Sequence, residues 1–168
     1  MMSERKLGET AEVFALELSE DVREVSLALA TQARRSLDIV TRHLDVVLYD
    51  NEAFANAVRE LVVDSRRAQV RILVLDSGQV VTHGHRLIEL ARRLSSFISV
   101  KVPAPEHKDF NEAWLVADTT GYLHRRFSDR YEATANFADR RHSANLANRF
   151  NELWNHALQD PNFRRLHL

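Results

Sequence analysis

The sequence contains no cysteine, only four glycines and three prolines, and no long apolar run. Without cysteine, disulfide bonds, thiolate nucleophiles and cysteine-ligated zinc sites are all excluded. So few glycines leave little material for a phosphate-cradling loop, and the sequence contains neither a nucleophile elbow nor a zinc-protease helix motif. No apolar segment approaches the roughly 20 residues that a membrane-spanning helix needs.

The first residues, MMSERKLGETAE, are polar and lack the apolar core of a signal peptide. Together with the absence of cysteine, this favours a cytoplasmic protein. We expect residues 1–18 to form a flexible tail and residues 19–168 to form a single domain. A chain of 168 residues is long enough to bury roughly 70% of its unfolded surface without disulfides or metals.

The net charge of −1 is unevenly distributed along the chain. Residues 1–50 carry 6 Lys and Arg against 10 Asp and Glu, residues 51–120 carry 9 of each, and residues 121–168 carry 8 against 5. The basic residues of the last segment are all arginines, which suit bidentate phosphate contacts. A dedicated nucleic-acid-binding protein usually has a stronger basic bias, so a solvated surface is the simpler interpretation.

Apolar spacing predicts alternating helices and strands. Helices are predicted from Glu20 to about Arg35, after a cap at Asp50 or Asn51, from about Gly84 to Leu94, and over 144–158. Strands are predicted at 37–42, 70–75, 98–102, 113–118, 121–126 and 130–135. A helix between consecutive strands implies parallel pairs joined by right-handed crossovers. The fold class is therefore α/β, a single-domain mixed β-sheet flanked by helices.

The segment from Asn111 to Phe137 resembles the site-bearing hairpin of the phospholipase D superfamily. In that family a His-x-Lys-x4-Asp strand precedes a Gly-Ser-x-Asn corner, and together they hold a phosphodiester. Here three β-like runs end in the sequence Ala-Thr-Ala-Asn-Phe at 133–137. The order of elements from Asp21 to Ala157 is also the order expected of one phospholipase D-like domain.

The family's reacting residues are replaced in this chain. Counted back from Asp118, the position of the nucleophilic histidine holds Asn111 and that of the phosphate-holding lysine holds Ala113. Loss of single members of such constellations reduces rates by factors on the order of 10⁴ to 10⁶. The resemblance therefore implies a non-catalytic binding or regulatory domain with a remnant phosphate cleft. The candidate ligand-binding residues are Asn111, Asp118, His124, Arg125, Arg126, Thr134 and Asn136.

An alternative is an active phosphodiesterase or nuclease rebuilt around His124. Strand alternation would place His124 and Arg126 on one face and Arg125 on the other. A histidine near its solution pKa can act as acid, base or nucleophile. A polar strand face without catalytic function is the simpler interpretation. A purely structural partner domain is a third possibility. The corner at Thr134 and Asn136 can likewise be a strand end that caps its own turn.

His83 and His85 are two imidazoles at close spacing, but no third ligand accompanies them. We therefore expect neither a metal nor a cofactor, and we expect a loop and helix cap with His85 and Arg86 facing solvent.

Catalytic family members that carry a single motif pair two copies, so the resemblance implies a homodimer. A phosphate-containing ligand or a nucleic acid is the other candidate partner.

Overall fold

The computed structural model describes residues 4–163, in which a seven-stranded mixed sheet carries helices on both faces. The strands are β1 (Phe14–Leu16), β2 (Ser36–Thr41), β3 (Gln69–Val74), β4 (Ile98–Lys101), β5 (Ala113–Ala117), β6 (Gly121–Arg125) and β7 (Ala133–Asn136). The helices are α1 (Ser19–Gln32), α2 (Val46–Tyr49), α3 (Glu52–Asp64), α4 (Gly78–His83), α5 (Arg86–Arg93) and α6 (Arg140–His156). Short 3₁₀ turns occupy Pro105–His107 and Pro161–Phe163.

The strand order is β1-β7-β6-β5-β2-β3-β4. The strands β2, β3 and β4 are parallel and the other pairs are antiparallel. The mixed sheet predicted from the sequence is therefore confirmed. Val40 of β2 lies opposite Trp114 of β5, so the beginning of β5 lies beside the end of β2. This antiparallel pairing brings the hairpin to the edge where parallel strands end, a common position for ligand sites in α/β proteins.

Two apolar layers cover the sheet. The larger layer packs the sheet against α1, α3 and α5, and the smaller one packs it against α6. In the smaller layer, Trp114 and Tyr122 of the sheet meet Phe150 and Trp154 of the helix. The apolar stripe predicted on the last helix thus covers one face of the sheet.

Helix capping accounts for the starts of two helices. The Asn51 side chain accepts from the Phe54 N–H at 2.8 Å, so α3 begins at Glu52, as the sequence predicts. Asp139 caps α6 in the same way, accepting from His142 N–H at 2.9 Å, so that helix begins four residues earlier than expected. Over residues 4–163, every helix is too short or too polar to cross a bilayer.

Residues before α1 differ from the predicted flexible tail. Phe14–Leu16 form β1, which pairs with β7 at the sheet edge. Leu7 N–H donates to the Gln32 side chain at 2.8 Å, and Gly8 N–H donates to Phe137 O at 2.8 Å. The positions of Met1 to Ser3 lie outside the described residues. The remainder of the predicted tail, from Glu4 onward, is part of the fold.

Candidate functional site

The two ends of the sheet separate the predicted site residues. We call the end where β2 and β3 finish the upper end, and the end where they begin the lower end. Because β5 is antiparallel to β2, Asn111 joins the upper end while Asp118 follows β5 at the lower end. Seven residues of extended chain separate them by about 23 Å.

Arg42 is the central side chain at the upper end. Its Nε donates to Ser128 Oγ at 2.8 Å and its Nη2 donates to Asn111 Oδ1 at 2.6 Å. Ser128 Oγ also donates to Asn111 Oδ1, at 2.8 Å, and Ser128 N–H donates to Asn111 O at 2.7 Å. The residue at the family's nucleophile position therefore acts as an acceptor for a guanidinium and a hydroxyl.

Arg125 lies beneath the same end and is almost fully buried. Its Nε donates to Arg130 O at 2.7 Å and its Nη2 donates to Ser128 O at 3.2 Å, which fixes the loop that carries Ser128. Asp45 lies 3.9 Å from the same Nη2 and accepts from Tyr131 Oη at 3.2 Å. Arg125 is thus a compensated cation that shapes the loop. Arg42, by contrast, has no carboxylate within ion-pair distance among the described residues.

The upper end encloses a cleft of about 340 Å³. Arg42, His43 and Ser128 form its polar side, and Val46, Val47 and Val80 form an apolar side. We call this the upper cleft. Val46 and Val47 are exposed to solvent, so the cleft is open on that side. A cation held by neutral acceptors in an open cleft can receive an anion without first breaking an ion pair.

His85 forms part of the wall of the upper cleft but is not free to bind a ligand. Its Nδ1 accepts from Leu87 N–H at 3.0 Å and caps α5. Its Nε2 lies 3.0 Å from Leu44 O and must carry the proton, because a carbonyl only accepts. Burial lowers the pKa of His85 despite the nearby Asp50 carboxylate. The predicted cap is present, but the expected exposure of His85 is wrong.

Asp118 has a structural role at the lower end. Its carboxylate accepts from the backbone N–H groups of Arg34, Arg35 and Ser36 at distances between 2.7 and 3.1 Å. These bonds tie the β5–β6 turn to the chain that leads into β2. Asp118 is therefore not part of the upper cleft.

Thr134 and Asn136 are also absent from the upper cleft. Thr134 lies opposite His124 and is exposed on the α6 side of the sheet. Asn136 is buried, and its Oδ1 accepts from Ala138 N–H at 2.9 Å. For Asn136 the turn-capping interpretation is confirmed, and the grouping of both residues with Asn111 is corrected.

His124 lies in a separate groove on the α6 side, together with Arg126 and Thr134. Its Nε2 is 3.0 Å from Glu112 Oε1, and Arg149 donates to the same carboxylate. Burial lowers the pKa of His124 while Glu112 opposes that shift. Burial would raise the pKa of Glu112, but the Arg149 and His124 hydrogen bonds outweigh it and hold that pKa below its usual value.

The sequence matches a family described as a domain of unknown function, DUF7931, over residues 18–166. The chain belongs to this family. No protein with a curated description matches the DUF7931 chain in sequence.

Solved structures resemble this DUF7931 domain in fold. TrmBL2, an archaeal chromatin protein with a novel mode of DNA binding, has a TM-score of 0.64 at 14% identity. The match covers 88% of this chain but only 54% of TrmBL2, so the chain spans about half of that protein. Nuc, a phospholipase D family member from Salmonella typhimurium, has a TM-score of 0.58 at 13% identity, covering 89% of this chain and 99% of Nuc.

Phosphatidylserine synthase from Haemophilus influenzae Rd KW20 has a TM-score of 0.62 at 11% identity, covering 94% of this chain and 41% of the synthase. At these identities the likeness concerns the fold alone. The fold of the DUF7931 domain is therefore phospholipase D-like, as the resemblance of its hairpin implies.

Sequence reasoning missed two residues of the upper cleft in the DUF7931 domain. The sequence predicts Arg42 as part of a strand with no functional role, although an arginine directly after a strand that ends at a ligand edge is a usable signal. It predicts no role for Ser128, because the hydroxyl corner is predicted at Thr134. The pairing of β5 with β6 places the residues after Arg125 beside Asn111, and that register brings in Ser128.

Proposed function

We propose that this protein is a non-catalytic phospholipase D-like domain that binds a phosphate group in the upper cleft. The absence of catalysis follows from the replacement of the family's nucleophile and lysine by Asn111 and Ala113. An amide cannot replace an imidazole as a phosphoryl nucleophile because its nitrogen lone pair is delocalised. The methyl group of Ala113 carries no charge.

The observation that carries the proposal is that Arg42 contacts only neutral acceptors. Its guanidinium is half-buried and retains N–H groups for another partner. Removing such a charge from water without a counter-charge is unfavourable, and an anion in the cleft would offset that penalty. Phosphate fits the forked geometry of a guanidinium especially well.

The test is calorimetric titration with inorganic phosphate and with dimethyl phosphate. Arg42→Gln should weaken binding by about tenfold or more, because a hydrogen bond to a charged group contributes roughly 1.5–3 kcal/mol. The matched control is Arg23→Gln, which removes an exposed arginine from α1, outside the cleft. Equal affinities for the wild type and Arg42→Gln, with both proteins folded, would contradict the proposal.

The alternative function is an active phosphodiesterase or nuclease built around His124. One observation favours it, the pairing of His124 with Glu112. A carboxylate that orients an imidazole is a common device in acid–base catalysis. The same groove, however, is also lined by Glu17 and Glu132, which form no ion pair among the described residues and would repel a phosphodiester. The upper cleft is lined by one carboxylate, Asp45, and that group faces Arg125. We therefore prefer the binding function.

Turnover of an aryl phosphodiester decides between the two functions. We expect no protein-dependent hydrolysis. Hydrolysis that disappears in His124→Ala but persists in Arg42→Gln would establish the enzyme and refute the binding module.

We also propose that the protein forms a homodimer, as the resemblance implies, and that it is cytoplasmic, as its composition favours. Light scattering on the purified chain, measured over a hundredfold range of concentration, tests the homodimer. A monomer mass throughout would contradict it.

A further inference from the structure

Six exposed arginines lie at the lower end of the sheet, the end opposite to the upper cleft. They occupy three chain segments that are distant in sequence, and the fold collects them. We call them the lower arginine cluster: Arg34, Arg35, Arg66, Arg67, Arg140 and Arg141.

Hydrogen bonds between turns hold these segments together. Arg35 O accepts from Gln69 N–H at 3.1 Å, which joins the segment before β2 to the segment before β3. Asp118 binds the backbone of Arg34 and Arg35, and Arg140 Nη1 donates to Thr120 Oγ1 at 3.2 Å. A shallow depression lined by Arg35, Asp118 and Arg140 marks the centre of this surface. The backbone beneath the cluster is therefore fixed by the turns themselves.

The positive charge of the cluster is not neutralised by nearby acids. Within residues 4–163, none of the six guanidiniums forms an ion pair with a carboxylate. Asp118 is engaged by three backbone N–H groups, and Asp139 is engaged by the first turn of α6. Two exposed acids neighbour the cluster, Asp64 at the end of α3 and Glu9 next to the Gly8 that packs against Thr120, and they are outnumbered by the six arginines. A chain with a net charge of −1 has thus concentrated cations on one surface.

The chemistry of the cluster points to phosphate. The cluster consists of arginines, and Lys6 is an exposed lysine in the segment that packs at the same end of the sheet. Guanidinium groups bind phosphate in a bidentate manner and are less strongly hydrated than ammonium groups. The six residues extend across the strands from β6 to β3, roughly 14 Å at the usual spacing between strands. That length matches about four successive charges of one DNA strand.

We propose that the lower arginine cluster binds the sugar–phosphate backbone of a nucleic acid, independently of base sequence. An anionic membrane is the competing polyanion. Peripheral membrane binding usually combines basic residues with an inserted apolar face. Among the described residues, two large and well-exposed apolar side chains lie at this end, Val63 at the end of α3 and Val13 directly before β1. They are isolated from each other and form no continuous apolar face. The surface therefore fits a rigid, polar, phosphate-lined partner better than a lipid surface.

The experiment measures fluorescence anisotropy of labelled 20-nucleotide single-stranded and double-stranded DNA and RNA of mixed sequence, over a range of salt concentrations. We expect binding whose logarithm falls linearly with the logarithm of salt. Arg34→Gln/Arg35→Gln and, separately, Arg140→Gln/Arg141→Gln should each weaken binding to duplex DNA by at least about tenfold at low salt. Each double variant should also reduce the slope by about 1.8, because each lost phosphate contact contributes about 0.9.

Two controls separate this surface from the rest of the molecule. Arg23→Gln/Arg59→Gln removes the same amount of charge from exposed positions on α1 and α3, and should change the slope far less. Arg34→Gln/Arg35→Gln should still bind dimethyl phosphate in the upper cleft with the wild-type affinity, so that failure here is distinct from failure of the upper cleft. Unfolding temperatures of all variants confirm that they remain folded.

The outcomes are distinct. Loss of binding in both cluster variants, with the controls unaffected, supports the proposal. The absence of binding in the wild type overturns it, as does equal weakening by cluster and control variants. Binding to vesicles containing phosphatidylserine, with no binding to any oligonucleotide, also overturns it and assigns the cluster to a membrane surface.

Discussion

Gly121 shows how one residue sets the spacing between the sheet and its covering layer. A Cβ atom at this position would lie 2.5 Å from Leu7 Cδ1, 3.0 Å from Leu29 Cδ2 and 3.1 Å from Phe137 O. Leu7 could move, but the Phe137 carbonyl belongs to the backbone. We expect Gly121→Ala to destabilise the protein by about 1–3 kcal/mol through overpacking.

Urea unfolding measures this loss, and Gly78→Ala is its matched control. At Gly78 the nearest atom to an added Cβ is Asp76 Oδ1 at 3.5 Å, an ordinary contact. Gly78 also begins a helix, where alanine is favoured over glycine. Equal destabilisation by the two substitutions would show that Gly121 is not tightly enclosed.

His85 makes the stability of the fold depend on pH. Burial lowers its pKa in the folded protein, whereas an unfolded histidine titrates near 6.5. Below about pH 6.5 the unfolded chain takes up a proton that the folded chain resists, so stability falls as the pH decreases. The slope contributed by one such histidine is at most about 1.4 kcal/mol per pH unit.

His85→Asn should reduce this slope because asparagine can still cap α5 but does not titrate. Urea unfolding at pH 7.5, 6.5 and 5.5 measures the effect. The pKa of His124 is also lowered, so some acid sensitivity should remain in both proteins. A variant with the same pH profile as the wild type would exclude His85 as a source of that sensitivity.

At the scale of elements, β2 and β3 are joined by a charged pair beneath α6. Arg71 Nε donates to Asp38 Oδ1 at 2.9 Å, Arg71 Nη2 donates to Asp38 Oδ2 at 3.1 Å, and the guanidinium lies over the Phe150 ring. Burial raises the pKa of Asp38 even though Arg71 counteracts it. Desolvation therefore opposes the attraction between the two charges. Removing one partner should destabilise the protein, whereas replacing both with apolar residues should cost little.

A double-mutant cycle tests this balance. Arg71→Met alone should destabilise the protein by about 3 kcal/mol, because it leaves a buried carboxylate without its partner. Asp38→Leu combined with Arg71→Met should recover most of that loss. If the losses from Arg71→Met and Asp38→Leu simply add in the double variant, the two side chains are not energetically coupled and this account is wrong.

Several elements could be predicted because their signals are local. The run from Val70 is flanked by polar residues and became β3, and Asn51 marks the start of α3 through its own side chain. The three-residue β1 has no such signal, since its place in the sheet depends on pairing with β7, more than a hundred residues later. Strand order could likewise be predicted only for the parallel segment, where short crossovers restrict the topology.

The site was less predictable because it is assembled by register. The resemblance suggests Asn111 and Arg125, and both of them bind the loop that carries Ser128. It also suggests Thr134 and Asn136, which do not line the upper cleft. Which side chain faces Asn111 depends on how β6 pairs with β5 and how the following loop turns back. Successive residues of a strand point to opposite faces of the sheet. A shift of one residue in the pairing would therefore place different side chains beside Asn111.

For the whole molecule, we expect two anion-binding surfaces that act independently. Strands of six residues or fewer separate them, and no charged side chain described above belongs to both. The variant Arg42→Gln combined with Arg34→Gln/Arg35→Gln should lose phosphate binding as Arg42→Gln does and nucleic-acid binding as the cluster variant does. Additivity within about 0.5 kcal/mol in each titration is the expected result. A larger coupling would mean that the two surfaces communicate or share a ligand.

The placement of β1 has a practical consequence for any shortened form of this chain. A fragment that starts near the family boundary at residue 18 would leave the outer rim of β7 bare, with its backbone amides and carbonyls open to another molecule. Unpaired strand edges of this kind pair with strands of other molecules and promote aggregation. The residues from Phe14 to Leu16 therefore protect the edge of β7. A fragment without them should aggregate under conditions in which the longer chain does not.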